Sequence, residues 1–156
     1  MAKGQVITSI AILVLNGANM NWLGKREPEF YGTRTLEEVN ALVAARAAER
    51  GCSVEFFQSN VEGLAMDRIY AAAEAGVDGL LMNPAGFSHA GYALRDCLRA
   101  VRLPYVEVHM SNTEARGIEP VTSGEAVGVV AGLGANSYLV GLDALLGVIA
   151  ERRESA

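Results

Sequence analysis

Short apolar runs alternate with longer stretches of helical period along this chain, and glycines punctuate the joins. Ile10-Ala11-Ile12-Leu13-Val14-Leu15 is continuously apolar and predicts a buried strand. A polar loop with several glycines follows over 16–34. Thr35-Leu36-Glu37-Glu38 is a capping box, with Thr35 as cap and Glu38 reaching back. It opens a helix to about Arg50, stopped by Gly51. The pattern then predicts a strand over 53–57, a helix over 62–75 ended by Gly76, and a strand over 79–82. A helix over 88–101 follows, with Ser88 as its expected N-cap. Strands are expected over 105–108 and 126–132, and a terminal helix over 137–153.

Strands that are apolar on both faces, each followed by a helix, imply a parallel sheet covered on both sides. Five such units in one domain, 1–156, fit an α/β three-layer sandwich of the flavodoxin-like type, with strand order 2-1-3-4-5. In such sheets ligands bind beyond the carboxyl ends of the strands, where the order reverses. The loops there are 16–34, 83–89 and 109–124, and the unusual polar residues of the chain fall in them.

Composition narrows the function classes. The chain has 156 residues, 51% of them apolar and 20% charged, enough for a real core. The net charge of −5 and the scattered cations argue against a nucleic-acid partner. Cys52 and Cys97 form no C-x-x-C pair, and two distant histidines complete no zinc set. Residues 1–9 lack the long apolar core of a secretion signal, and 10–15 is too short to span a bilayer. These features predict a cytoplasmic protein with no membrane partner.

Glu107-Val108-His109 closes the fourth apolar run. Residues two apart on a strand point to one face, so the carboxylate meets the imidazole. A carboxylate fixes the tautomer of such a ring and suits it to donate protons. The only other histidine, His89, also follows a strand end, in Asn83-Pro84-Ala85-Gly86-Phe87-Ser88-His89. Asn83 there is placed to orient a hydroxyl or a water, or to serve the turn alone. The first loop carries Arg26 and Tyr31, and a guanidinium near a phenol stabilises its phenolate. That loop is long for a βα connection and sits where a lid would. Ser111-Asn112 follow the histidine and offer a hydroxyl and N–H groups to a carboxylate. No phosphate loop and no G-x-S-x-G elbow is present, and Gly132-Leu133-Gly134 lacks the full dinucleotide spacing.

Taken in order, Leu15-Asn16-Gly17-Ala18-Asn19, Leu23-Gly24-Lys25-Arg26-Glu27-Pro28 and Tyr31-Gly32 resemble the signature of the type II 3-dehydroquinate dehydratases. Gln58-Ser59-Asn60, Asn83-Pro84, Ala93-Leu94-Arg95-Asp96, Glu107-Val108-His109-Met110-Ser111-Asn112 and Gly132-Leu133-Gly134-Ala135 fit in register. The similarity runs from about 10 to 146. The resemblance implies the flavodoxin-like fold, no cofactor, no metal and a homo-dodecamer built as a tetramer of trimers. It also implies anti elimination of water from 3-dehydroquinate through an enolate, in the shikimate pathway or in quinate use.

By this resemblance Tyr31, activated by Arg26, is the base at C2. A water held near Asn19 and Gly86 stabilises the enolate. His109, oriented by Glu107, protonates the departing C1 hydroxyl. Asn83, Met110 and Ser111 hold the substrate carboxylate and C1 oxygen, His89 meets ring hydroxyls, and Asp96 reaches toward a neighbouring subunit's site. The chain departs from the pattern with Ala18 for a proline and Val61 for a histidine. The segment 113–123 is also about three residues short. It lacks the second arginine of the family's stretch, which binds substrate hydroxyls, while Arg116 matches the first and joins the substrate-binding set. That departure motivates one alternative, a divergent paralogue acting on a related cyclic hydroxy-ketone; a second is a non-catalytic binding protein of the same fold, against which the intact acid/base set argues.

Overall fold

In the computed structural model, which describes residues 9–156, one five-stranded sheet runs through the molecule. The expectation that the chain begins without a secretion signal rests almost wholly on residues 1–8, which lie outside the described residues. The strands are β1 (Ala11–Ala18), β2 (Ser53–Gln58), β3 (Gly79–Ala85), β4 (Tyr105–His109) and β5 (Gly128–Ala131). All pairings are parallel and the order is β2-β1-β3-β4-β5. The helices are α1 (Pro28–Tyr31), α2 (Leu36–Arg50), α3 (Glu62–Glu74), α4 (Tyr92–Val101) and α5 (Asn136–Glu154). No helix among the described residues is long and apolar enough to cross a membrane.

The period of two along each strand splits the core into two layers. Ile12 and Val14 of β1 and Val106 and Val108 of β4 pack with Val39 and Val43 of α2 and Leu142 and Leu145 of α5. Leu13 and Leu15, together with Leu80, Met82 and Tyr105, face Ile69 of α3 and Leu94 of α4. Glu107 and His109 alternate in phase with Tyr105, so they leave the sheet on the α3–α4 side. The Thr35 capping box forms as the sequence predicts: Glu38 N–H donates to Thr35 Oγ1 at 3.2 Å and Thr35 N–H to Glu38 Oε2 at 2.8 Å.

Four boundaries differ from the expectation. β1 continues three residues into the anticipated loop. Asn16 is buried there, pairing with Gln58 and Asn83, and its Oδ1 accepts from Tyr138 Oη at 2.5 Å. β3 continues through Asn83-Pro84-Ala85, where Asn83 Oδ1 accepts from Ala85 N–H at 3.0 Å. Ser88 does not cap α4: residues Gly86–His89 form a separate 3₁₀ turn, and α4 starts at Tyr92. The cap comes from another helix, with Leu94 N–H donating to Glu62 Oε1 at 3.0 Å. Ser88 is buried, and its carbonyl instead accepts from Val121 N–H at 3.0 Å. β5 is shorter than 126–132.

Gly17 sets how closely β1 approaches the β3 end that carries Asn83. A Cβ at Gly17 would stand 2.1 Å from the carbonyl oxygen of Pro84 and 2.8 Å from Phe87 Cδ2. Neither obstacle is the end of a flexible side chain. Gly17→Ala is expected to lower stability by about 3 kcal/mol, measured by urea unfolding; a loss below about 0.5 kcal/mol would show that the two strands separate freely.

Candidate active site

A cavity of about 140 Å³ opens beyond the carboxyl ends of β1, β3 and β4. Of the twelve residues singled out in the sequence, ten line it: Asn19, Arg26, Tyr31, Asn83, Gly86, His89, His109, Met110, Ser111 and Arg116. Glu107 stands directly behind His109. Asp96 lies on α4 and does not line this cavity.

One wall is acidic chemistry held in the sheet. His109 Nε2 and Glu107 Oε1 are 2.7 Å apart, and the two side chains are almost wholly removed from solvent. An ionised carboxylate only accepts, so Nε2 carries a proton and Nδ1 is the nitrogen left for a ligand. Glu107 takes three further bonds. Tyr105 Oη donates to Oε2 at 2.5 Å, Thr122 Oγ1 to Oε2 at 2.7 Å, and Ser123 Oγ to Oε1 at 2.5 Å. Burial pushes the Glu107 carboxyl up, but the bonds from His109, Ser123, Thr122 and Tyr105 outweigh it, and the group lies below the ordinary glutamate value. Burial and the adjacent Glu107 charge drive the Tyr105 phenol well above its ordinary value, which keeps it a donor. Composition and spacing gave no sign of Tyr105, Thr122 and Ser123 in this role. The sole hint was a tyrosine in an otherwise apolar strand.

The opposite wall belongs to the first loop. Pro28 starts the single turn α1, which ends by presenting Tyr31. Two guanidinium groups meet its oxygen: Arg116 Nη1 donates to Tyr31 Oη at 3.0 Å, and Arg26 Nη2 lies at 3.5 Å, long for a hydrogen bond. Both also sit over the phenol ring, with Cζ at 4.6 Å for Arg26 and 5.5 Å for Arg116 from its centroid. Arg116 donates as well to Ser111 Oγ at 2.8 Å and stacks at 4.2 Å on Phe30. The sequence pairs Tyr31 with Arg26 alone; the structure brings Arg116 closer, across 85 positions of chain.

The floor is made of amides. Asn83 Nδ2 donates to Tyr138 Oη at 2.9 Å, which in turn donates to Asn16. Burial pushes the Tyr138 phenol up, so it too remains protonated. Asn19 adopts a left-handed φ of 76°, and its N–H donates to Asn60 Oδ1 at 2.8 Å. Gly86 lets the Asn19 amide come close, since a Cβ there would stand 3.0 Å from Asn19 Nδ2. His89 is exposed at the rim, and Thr113 and Ile118 of the short segment complete the lining. A cavity with a phenol under two fixed cations and a carboxylate-backed imidazole facing it is equipped for paired proton transfer.

The chain is similar to known proteins over most of its length. Residues 10–146 match the model of the family described as dehydroquinase class II. The chain is 48% identical over 138 residues to a protein of Ralstonia nicotianae named 3-dehydroquinate dehydratase 1, covering 85% of this chain and 87% of that one. It is 47% identical over 140 residues to the 3-dehydroquinate dehydratase of Stenotrophomonas maltophilia strain R551-3, covering 86% and 93%. Among solved structures, the type II dehydroquinase of Butyrivibrio crossotus superposes with a TM-score of 0.83 at 37% identity, over 88% of this chain and 97% of that one. With a family model matched over residues 10–146, relatives at nearly half identity and the same fold, the chain belongs to the class II dehydroquinase family.

Proposed function

We infer that this protein is a hydro-lyase that removes water from 3-dehydroquinate to give 3-dehydroshikimate. The observation that carries the inference is the opposition of Tyr31, under Arg26 and Arg116, to His109, backed by Glu107, across one small cavity. The Tyr31 phenolate takes the proton from C2, next to the ketone. The C2–H electron pair enters the enolate, which a water near Asn19 and Gly86 stabilises. The enolate re-forms the ketone as the C1–O bond breaks, and His109 Nδ1–H protonates the leaving oxygen to water. Tyr31 ends protonated and His109 neutral, and exchange with solvent restores both. Ser111, Met110 and Asn83 border the place of the substrate carboxylate, and His89 that of the ring hydroxyls. Two fixed cations, Arg26 and Arg116, stand beside the phenol oxygen, where they meet the negative charge of the phenolate.

The shortened segment leaves Arg116 as the arginine of the stretch 111–123 that reaches the cavity, and it is bonded to Tyr31 and Ser111. This favours retained chemistry at the base over loss of activity. Asp96 is assigned to a neighbouring subunit's site, and the chain to a homo-dodecamer. The exposed apolar residues Val127, Val129 and Leu133 around the free edge of β5 support burial between copies. The two free cysteines, Cys97 buried, suit a cytoplasmic setting.

Mixing the protein with 3-dehydroquinate is expected to raise the ultraviolet absorbance of the conjugated enone-carboxylate product. Tyr31→Phe should cut kcat by about 10³-fold or more with an unchanged circular-dichroism spectrum; turnover retained in that variant sinks the base assignment. Arg116→Ala should cost on the order of 10²-fold in kcat, because it removes the nearer cation from the phenol. A change in KM alone would assign Arg116 to substrate binding only. Light scattering should give a particle of about twelve 16.5 kDa chains, and a monomer would remove the role given to Asp96.

A further inference from the structure

The hydroxyls on Glu107 are more than the proposed reaction asks for. Orienting His109 requires one carboxylate oxygen, yet Glu107 holds four hydrogen-bond donors, filling the roughly four acceptor sites of an ionised carboxyl. Tyr105 and Thr122 share Oε2, while Ser123 shares Oε1 with His109. The donors arrive from two directions. Tyr105 lies two residues back on β4, in a fully buried position where a phenylalanine ring would fill the same space. Thr122 and Ser123 come from the short segment, which is pinned around them. Val121 N–H donates to Ser88 O at 3.0 Å, Ser123 N–H to Pro120 O at 3.2 Å, and Arg99 Nη2 pairs with Glu125 at 2.6 Å. Thr122 is itself wholly buried. A backbone fixed on both sides of two hydroxyls delivers them to a set place.

We propose that Tyr105, Thr122 and Ser123 are positioning residues that hold Glu107 as a carboxylate aimed at His109 Nε2. They touch no substrate and act through Glu107. The inference rests on the roles given above to Glu107 and His109. Its physical basis is the cost of burying a charge, which only a full set of donors offsets. Without them the carboxyl would take up a proton at higher pH, and a protonated glutamate no longer serves as a plain acceptor for Nε2–H. The groups around the pair are few. On β4 they are Tyr105 and His109, and from the short segment Thr122 and Ser123. The register neighbours of Glu107, Met82 on β3 and Val129 on β5, are apolar. The charged and titratable groups that share the His109 cavity are Arg26, Tyr31, His89 and Arg116. The proposal also gives the shortened segment a task at the acid, separate from its effect on the cavity lining.

The test removes one hydroxyl at a time with little change in shape: Tyr105→Phe, Thr122→Val and Ser123→Ala, with Thr122→Ser as the variant that keeps the hydroxyl. Two readouts are taken on each. One is the pH profile of kcat/KM with 3-dehydroquinate. The other is the ring ¹⁵N spectrum of the substrate-free protein against pH, which is readily assigned because the chain has two histidines. In Tyr105→Phe and Thr122→Val, the low-pH inflection sensed by His109 and the acid limb of kcat/KM should rise together by about one pH unit. The maximum of kcat should drop about tenfold while KM stays near its original value. Thr122→Ser should return both inflections to their places. Inflections that stay fixed while only the melting temperature falls would mean that the hydroxyls serve packing alone, and the proposal fails. If Tyr105→Phe does not fold, the Thr122→Val and Thr122→Ser pair decides the matter. Full turnover in His109→Asn would overturn the acid assignment instead, and the substrate-free spectra would still read the coupling on Glu107.

Discussion

A carboxylate with no exposure to water is the constraint around which this site is arranged. Glu107 is fully buried at the end of a central strand. An isolated charge there would cost many kcal/mol and would simply protonate. It stays ionised because β4 supplies Tyr105 and His109, and the chain after β4 returns to supply Thr122 and Ser123. The demand works outward from there. The return path must be short and pinned, Ser88 must give its carbonyl to Val121 rather than its hydroxyl to a helix, and α4 must find its cap elsewhere, in Glu62.

A second buried polar chain fixes the other strands against α5. Tyr138 links Asn83 of β3 to Asn16 of β1, at 2.9 and 2.5 Å, with all three side chains buried. Polar groups that satisfy each other inside a core specify one arrangement rather than merely adding stability. Together the two networks set the carboxyl ends of β1, β3 and β4 as a rigid floor and acid wall. Tyr31 is held differently: it sits on one helical turn in a loop and is met by Arg26 from that loop and Arg116 from another. The proposed acid is therefore placed by the sheet, whereas the proposed base is placed by cations that reach over the cavity.

Much of this was legible in the sequence, and the reasons differ by element. The apolar runs of β1, β3 and β4 and the helical period after β1, β2, β3 and β5 pointed to a parallel sheet, and the Thr35 box marked the start of its helix; β4 runs to β5 with no α-helix between them, and β5 leaves Val129 exposed. Glu107 and His109 were legible because strand alternation alone puts them side by side. The misreadings came where long-range contacts overrode local signals. Asn16-Gly17 and Asn83-Pro84-Ala85 look like loop, yet they are strand because Tyr138 and Gly17 satisfy and fit them from afar. Ser88 looks like a cap until Val121, some thirty residues on, claims its carbonyl. Arg116 on Tyr31, and Tyr105, Thr122 and Ser123 on Glu107, had no periodicity to announce them, since contacts across the fold leave no spacing in the chain.

The charges of the cavity follow from the same arrangement. The chain carries a net charge of −5, yet the groups that face the cavity include two permanent cations, Arg26 and Arg116. The carboxylate that belongs to the site is turned away from the cavity, behind His109, with its oxygens covered by hydroxyls. Its charge is spent on the imidazole rather than projected at a ligand. Arg26 is paired with Glu27 at 2.8 Å, so Arg116, bonded to Tyr31 and Ser111, is the cation set to meet an anionic group in the cavity. A carboxylate turned into the cavity would compete for that cation, and removing Glu107 would leave His109 without a fixed tautomer. Burying it behind the ring, with enough donors to keep it ionised, meets both requirements at once.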